Sequence, residues 1–431
     1  MKKIIIIISL ILIPVSPTFS ATLKEALIQA YNNNTELNAE RENLNISKEE
    51  LNISKSNYLP SVTLSGSKSK EETNKLTNQS GGDATITDVD PTTTSIKLEQ
   101  TLIDFGRGAD YQKNKIGISL AEIKLLKKEQ DILYRAVEAY TGLIFANEKY
   151  LINGSNVKLL ERQVEADKVR LERGQITISD LAQSESSLAG AKAKYIEANS
   201  ELLTSKLNYE NVIGPISAAD SLKKSSKAIG EIPKSVNSAI ELAKTNNPDL
   251  IIAKLEYEQS EKDLSIARSD LLPTSTLTLE RSYTDDFSAT YDEKEKDVLK
   301  ATVSWPFYSG GKNRAKVNKN QNLKSRKRLL LDNEIKSNQT SVASAWSNLQ
   351  ASESFLNSVR AQVKASKIAY EGITAEYERG SGRTTLDVIQ SNSLLLNAQI
   401  SLANSERNYL LSQYNLLKIV GLLNSDYLKL K

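Results

Sequence analysis

Two periodicities divide this chain. In four short stretches apolar residues recur at every second position: Val62 and Leu64; Ile96, Leu98 and Leu102; Leu277, Leu279 and Tyr283; Ala301, Val303, Trp305 and Phe307. A period of two puts these side chains on one face of a β-strand. Thr63, Ser65, Lys97, Glu99, Thr302 and Ser304 fall between them and make the other face wet. Polar stretches from Lys68 to Pro91 and from Thr284 to Asp297 separate the strands of each pair and read as water-facing loops. The pattern predicts two β-hairpins.

The second periodicity is a heptad. Leu181, Leu188, Tyr195, Leu202 and Tyr209 share one phase, and Val388, Leu395, Leu402, Tyr409 and Leu416 share another. Three residues on from each stands a mostly small side chain: Ser184, Ala191, Ala198 and Ser205, then Ser391, Ala398, Ser405 and Ser412. Ala136, Leu143, Tyr150, Val157, Val164 and Leu171 repeat the phase upstream, as do Val342, Leu349, Leu356, Val363 and Tyr370. Large-then-small spacing lets neighbouring helices interlock as coiled coils. No proline lies between Thr92 and Gly214 or after Pro306, and these stretches are rich in good helix formers. A helix from Arg107 to Leu171 would run about 100 Å at about 1.5 Å per residue, longer than a globular core.

The pattern occurs twice. Asn33-Asn34-Thr35-Glu36-Leu37 corresponds to Asn246-Asn247-Pro248-Asp249-Leu250, and Leu59-Pro60 to Leu272-Pro273. Arg173-Gly174 corresponds to Arg379-Gly380, and Asp180 through Gly214 to Asp387 through Gly421. Internal repetition of this extent predicts two structural repeats, residues 21–214 and 235–431, joined by a linker at 215–234. Each repeat reads as helix, β-hairpin, glycine-containing corner and long helices. A leader precedes them at residues 1–20: Lys2 and Lys3, an apolar run from Ile4 to Ile13, then Pro14 and Pro17. The run is too short to span a bilayer and reads as a secretory signal peptide cut before Ala21.

Removing Lys2 and Lys3 from 56 basic residues leaves 54 against 53 acidic, a net charge of +1 that points to no nucleic-acid partner. The one dense basic spot, Lys324, Arg326, Lys327 and Arg328, reads as a solvated helix face. There is no His and no Cys. That removes imidazole and thiolate metal sites, Ser-His-Asp triads, cysteine nucleophiles and N-terminal lipidation. No catalytic constellation, metal site or cofactor is implied, so the chain does not read as an enzyme.

The strands set a condition. Their apolar faces suit lipid and their polar faces a wet interior. A lipid-facing sheet cannot keep open edges, because each unpaired backbone group costs several kcal/mol in hydrocarbon. Four strands are too few to close a barrel, so if the sheet lies in the membrane several chains must contribute to one; a small soluble antiparallel sheet packed on the helices is the alternative. Trp305, Phe307 and Tyr308 stand at a strand end, where membrane-interface aromatics belong.

Several segments resemble the TolC-like outer-membrane efflux and secretion ducts. Leu98-Glu99-Gln100-Thr101-Leu102-Ile103-Asp104-Phe105-Gly106 resembles their strand-to-helix corner. Arg170-Leu171-Glu172-Arg173-Gly174 with Ile178-Ser179-Asp180-Leu181 resembles their first periplasmic helical turn. Tyr377-Glu378-Arg379-Gly380 with Arg383-Thr384-Thr385-Leu386-Asp387-Val388 resembles the second. The resemblance implies a mainly α chain with a membrane β-barrel: four strands per chain, a homotrimer forming a twelve-stranded barrel, and a long coiled-coil helical tunnel. It implies outer-membrane lipid around the barrel, and a periplasmic adaptor protein and an inner-membrane pump as partners.

The same resemblance assigns gate links at the tunnel tip to Tyr377, Arg383 and Asp180, with Ser179 as an additional acceptor. It assigns the pore constriction to Asp387 and to the position of Gln390, where the family carries a second acid and this chain does not. One extra residue in the Ser381-Gly382-Arg383 stretch also departs from the family pattern. A periplasmic coiled-coil adaptor or structural rod would explain the heptads too, but leaves the paired hairpins without a purpose.

Overall fold

A computed structural model describes residues 22–72, 88–216, 222–288, 291–380 and 382–430. The expected leader, much of the first hairpin loop, part of the linker and Ser381 lie outside these residues. The elements follow in the order α1 (Leu23–Asn33), α2 (Thr35–Ser56), β1 (Ser61–Lys68), β2 (Thr92–Ile103), α3 (Arg107–Glu172) and α4 (Ile178–Val212). The same order then recurs as α5 (Val236–Asn246), α6 (Pro248–Ser269), β3 (Thr274–Ser288), β4 (Tyr291–Ser304), α7 (Lys312–Glu378) and α8 (Thr385–Val420). Among the described residues no helix is long and apolar enough to cross a membrane.

The chain forms two compact units, and neither is one repeat. The first takes residues up to Asn38, Lys128–Asn247 and Gln339–Lys431; the second takes Ala39–Lys127 and Pro248–Asn338. Each draws on both halves of the sequence.

In the second unit the four strands make one antiparallel sheet in the order β1-β2-β3-β4. Val62 pairs with Leu98, Leu98 with Leu279, and Leu279 with Leu299, so one face carries an apolar row across all four strands. That face is uncovered within the chain: Leu64 is 80% exposed, Leu299 72% and Val303 71%. The opposite face carries Thr63, Lys97 and Glu280 in register, with Lys97 paired to Glu99 at 2.5 Å.

Three sequence expectations for the strands need correction. The stretch Thr284 to Asp297 is mostly strand, not loop, because Asp285 pairs with Glu293 and Arg281 with Asp297. Its polar side chains satisfy one another across the ladder: Arg281 reaches Glu295 at 3.3 Å, and the Thr93 and Thr284 hydroxyls meet at 3.0 Å. Leu102 falls at an irregularity and has no register partner of its own on β3. The register shifts between Thr101 and Ile103, and it is Ile103 that pairs with Ser275. Trp305 and Phe307 lie beyond β4, since Pro306 cannot donate to a ladder and the Phe307 N–H turns back to the Trp305 carbonyl at 2.8 Å.

Four helices of this unit follow the strand order. Ser54 of α2 donates to Asp110 of α3 at 2.6 Å, and Lys113 of α3 pairs with Asp263 of α6 at 2.8 Å. Lys324 and Lys327 of α7 pair with Glu261 and Glu256 of α6 at 2.7 and 2.6 Å. Half of the basic spot is therefore a helix–helix seam and not a solvated face.

In the first unit the heptad seams are packed as their spacing predicts. Ser184, Ala191 and Ala198 of α4 are buried, as are Ser391, Ala398 and Ser405 of α8. Tyr195 stacks on Tyr150 at 4.9 Å beside Gly154, where an added Cβ would lie only 3.1 Å from the Tyr195 ring. The duplicated Asn-Asn motif has a structural duty. Asn34 accepts from the Glu36 and Leu37 N–H groups, capping α2, and donates to the Val212 carbonyl at the end of α4. Asn247 donates likewise to Ile419 of α8 at 2.7 Å. Gly421 ends α8 at φ 87°, and a side chain there would collide with the Asn246 carbonyl. The linker is tied down where it is described: Tyr140 donates to the Lys223 carbonyl, and the Ile229 N–H donates to the Tyr414 hydroxyl.

Candidate functional site

The turns joining α3 to α4 and α7 to α8 both belong to the first unit, and they are built alike. Gly174 (φ 69°) follows α3, and Gly380 (φ 73°) and Gly382 (φ 78°) follow α7. Each return helix then starts with a capping box. Asp180 accepts from the Thr177 N–H at 2.9 Å and its hydroxyl at 2.7 Å, while Thr177 caps the Asp180 N–H. Thr384 and Asp387 repeat the arrangement at 2.9 and 3.0 Å. These bonds favour the charged carboxylate. The Thr177 hydroxyl and N–H hold Asp180 below the usual carboxylate range, and the Thr384 N–H and hydroxyl do the same for Asp387.

A cleft of about 470 Å³ lies at these turns, lined by Arg170, Asp180, Tyr377, Arg379, Arg383 and Thr385 among others. Three of the four residues assigned to the gate by resemblance line it. Their partners within one chain differ from that assignment. Arg383 donates to Glu376 at 2.6 Å, and this ion pair holds its guanidinium above the usual value. Tyr377 donates to Asp167 at 3.2 Å and shares a hydrogen bond with Thr385 at 2.9 Å. Ser179 is exposed in the first turn of α4, and Gln390 is exposed on α8.

Joined to this cleft through Tyr377 is Asp167, a residue that no motif marks out. Its side chain is 0% exposed. It accepts from Ser184 at 2.6 Å, from Gln163 at 3.0 and 3.1 Å, and from Tyr377. Arg170 lies 3.8 Å from its carboxylate, with the guanidinium 4.3 Å above the Tyr377 ring. A fully buried carboxylate needs such an array, since an unpaired one would be prohibitive. The array joins α3 and α4 of the first half to α7 of the second. A signal was present: Asp167 stands three residues after Val164, at a core register of the seam where an acid is out of place.

Farther up this unit, Asn392 of α8 donates to Asn156 of α3 at 2.7 Å, a second polar link between the halves. In the other unit, Trp305 donates to the Leu271 carbonyl at 3.1 Å and meets Phe307 edge-on at 5.8 Å. Phe307 and Tyr308 are each 85% exposed. Among the described residues no acidic cluster could hold a metal ion.

The sequence and the fold of this chain both resemble those of known proteins. The outer membrane efflux protein family matches residues 26–214 and again 239–422. The outer membrane efflux protein BepC of Brucella suis is 28% identical over 418 residues, spanning 96% of this chain and 88% of that protein. The outer membrane protein TolC of Escherichia coli is 23% identical over 354 residues, spanning 78% and 70%. Among solved structures, the Campylobacter jejuni outer membrane channel CmeC superposes with a TM-score of 0.82 at 18% identity, over 93% of this chain and 85% of that one. The open state of the Neisseria gonorrhoeae channel MtrE does so with a TM-score of 0.75 at 17% identity, over 93% and 89%. With both halves matched, this chain belongs to the outer membrane efflux protein family.

Proposed function

We propose that this chain is one subunit of a passive export duct, crossing the outer membrane as part of a shared β-barrel and lining a periplasmic tunnel with its long helices. Membership of the family makes it an outer-membrane channel component of an efflux or secretion system. The observation that carries the reading furthest is the four-stranded sheet. Its apolar face is exposed, the outer edges of β1 and β4 carry no partner strand among the described residues, and its other face is polar. Only lipid on one side and further copies on both edges satisfy all three conditions. A homotrimer with twelve strands meets them. Trp305, Phe307 and Tyr308 then lie at the membrane interface.

The finer reading concerns gating and partners. The tip is held shut by Tyr377, Asp167 and Arg170 within each subunit, supported by Asp180 and Arg383 around the same cleft, with Ser179 as a further acceptor. Asp387 contributes to the constriction, where Gln390 adds no charge. A periplasmic adaptor shifts the tip towards its open arrangement, and an inner-membrane pump supplies the energy. Polar links suit this task because they break and re-form, unlike an apolar seam. Replacing Tyr377 by Phe together with Arg383 by Ser should raise single-channel conductance in planar bilayers. Unchanged conductance removes both residues from the gate.

A further inference from the structure

Within the second unit, helices α2, α3, α6 and α7 stand in the order of strands β1, β2, β3 and β4, so α2 and α7 are its outer helices. α2 leads into the edge strand β1 five residues after Ser56, and the edge strand β4 leads into α7, which begins at Lys312. If β4 of one copy pairs with β1 of the next, chain connectivity brings α7 beside the neighbour's α2. This step rests on the duct reading above.

The outward faces of these two helices are complementary. On α2 the positions turned away from α3 are Glu42, Ile46, Glu49 and Ile53; Ile46 is 56% exposed and Ile53 67%. Neither glutamate makes an ion pair among the described residues; each accepts only from an asparagine three residues on. On α7 the positions turned away from α6 are Ala315, Lys319, Arg326 and Leu329, the last 69% exposed. Lys319 and Arg326 have no ion-pair partner among the described residues, whereas Lys316, Lys324 and Lys327 on the inner side are all paired.

The depths agree as well. Glu49 lies as far below the barrel end of α2 as Lys319 lies from the start of α7, at about 10 Å, and Glu42 and Arg326 are both at about 21 Å. The same antiparallel register sets Ile53 against Ala315. We infer that α7 of one copy docks on α2 of the next through Glu49–Lys319 and Glu42–Arg326, with Ile53, Ala315 and Leu329 sealing the seam. The interface is heterologous, head to tail, and closes into a ring when every copy repeats it.

The chain has no cysteine, which gives a clean test on the full-length protein in membranes. Oxidising the double variant Glu49→Cys, Lys319→Cys should give a ladder of covalent oligomers, and neither single variant should. Reversing Lys319→Glu and Arg326→Glu should lower the heat-resistant oligomer by about tenfold at low salt. Adding Glu42→Lys and Glu49→Lys to that variant should restore it. An unaltered oligomer after the first reversal, or no restoration after the second, overturns the seam and leaves the duct reading standing. A wild-type chain with no oligomer overturns both.

Discussion

The strongest test of the tip architecture is to replace Asp167 by alanine. The buried carboxylate receives hydrogen bonds from Ser184, Gln163 and Tyr377 and faces Arg170. Removing one member of a buried charged pair costs about 3–5 kcal/mol. Arg170 is 27% exposed and keeps its stacking on Tyr377, so water and the ring compensate in part and the lower figure applies. A loss of about 3 kcal/mol multiplies the open-tip population by roughly 150. Asp167→Asn keeps one carbonyl oxygen and should give a rise of about tenfold. Replacing Arg383, whose pair with Glu376 is exposed, should act far more weakly on its own. The assay is opening frequency in planar bilayers, read beside hydrogen exchange of residues 167–185 and 374–390. Opening frequency that stays at the wild-type value in intact oligomers would refute the reasoning, because the buried link could not then be what holds the halves together.

Other consequences are open to direct measurement. The Asp180 and Asp387 carboxylates are depressed in the folded state, so their capping contribution is complete above the ordinary carboxylate range and vanishes as pH falls through the depressed values. Channels taken from about pH 7 to about pH 3 should therefore open more readily, and Thr177→Val with Thr384→Val should flatten that dependence. Asn34→Ala removes a helix cap and the bond to Val212, and should lower unfolding stability by about 1–2 kcal/mol in thermal or urea melts; Asn34→Asp, which keeps the capping oxygen, should lose less. In a Trp346→Phe background, Trp305 fluorescence should be quenched by phospholipids brominated near the headgroup, and emission insensitive to them would take Trp305 out of the interface.

Much of the architecture could be read from spacing alone. Alternation located all four strands, the proline-free stretches located the long helices, and the matching Asn-Asn and Arg-Gly motifs paired the halves. These are local properties of a chain: a period of two or of seven states which face an element will bury, whatever it packs against. The partner of each face is a different kind of fact. Pairing of β2 with β3 joins the two halves of the sequence, and no motif announces it. Thr284 to Asp297 looked like loop because its polarity was judged residue by residue, whereas the ladder satisfies it by cross-strand pairs. Trp305 and Phe307 kept the alternation on paper but lost the strand to Pro306.

The tip divides in the same way. Resemblance located Asp180, Tyr377, Arg383 and Asp387 at the turns, and the structure adds that Thr177 and Thr384 cap the return helices with Asp180 and Asp387. Tyr377 bonds to Asp167 because coiling brings α7 onto the α3–α4 pair, across a sequence separation of 210. Sequence alone determined that this chain builds strands with one apolar face and helices too long for a globular core, since both follow from periodicity. Tertiary structure alone decided which carboxylate would be buried and which would cap a helix, because desolvation depends on neighbours that only packing supplies.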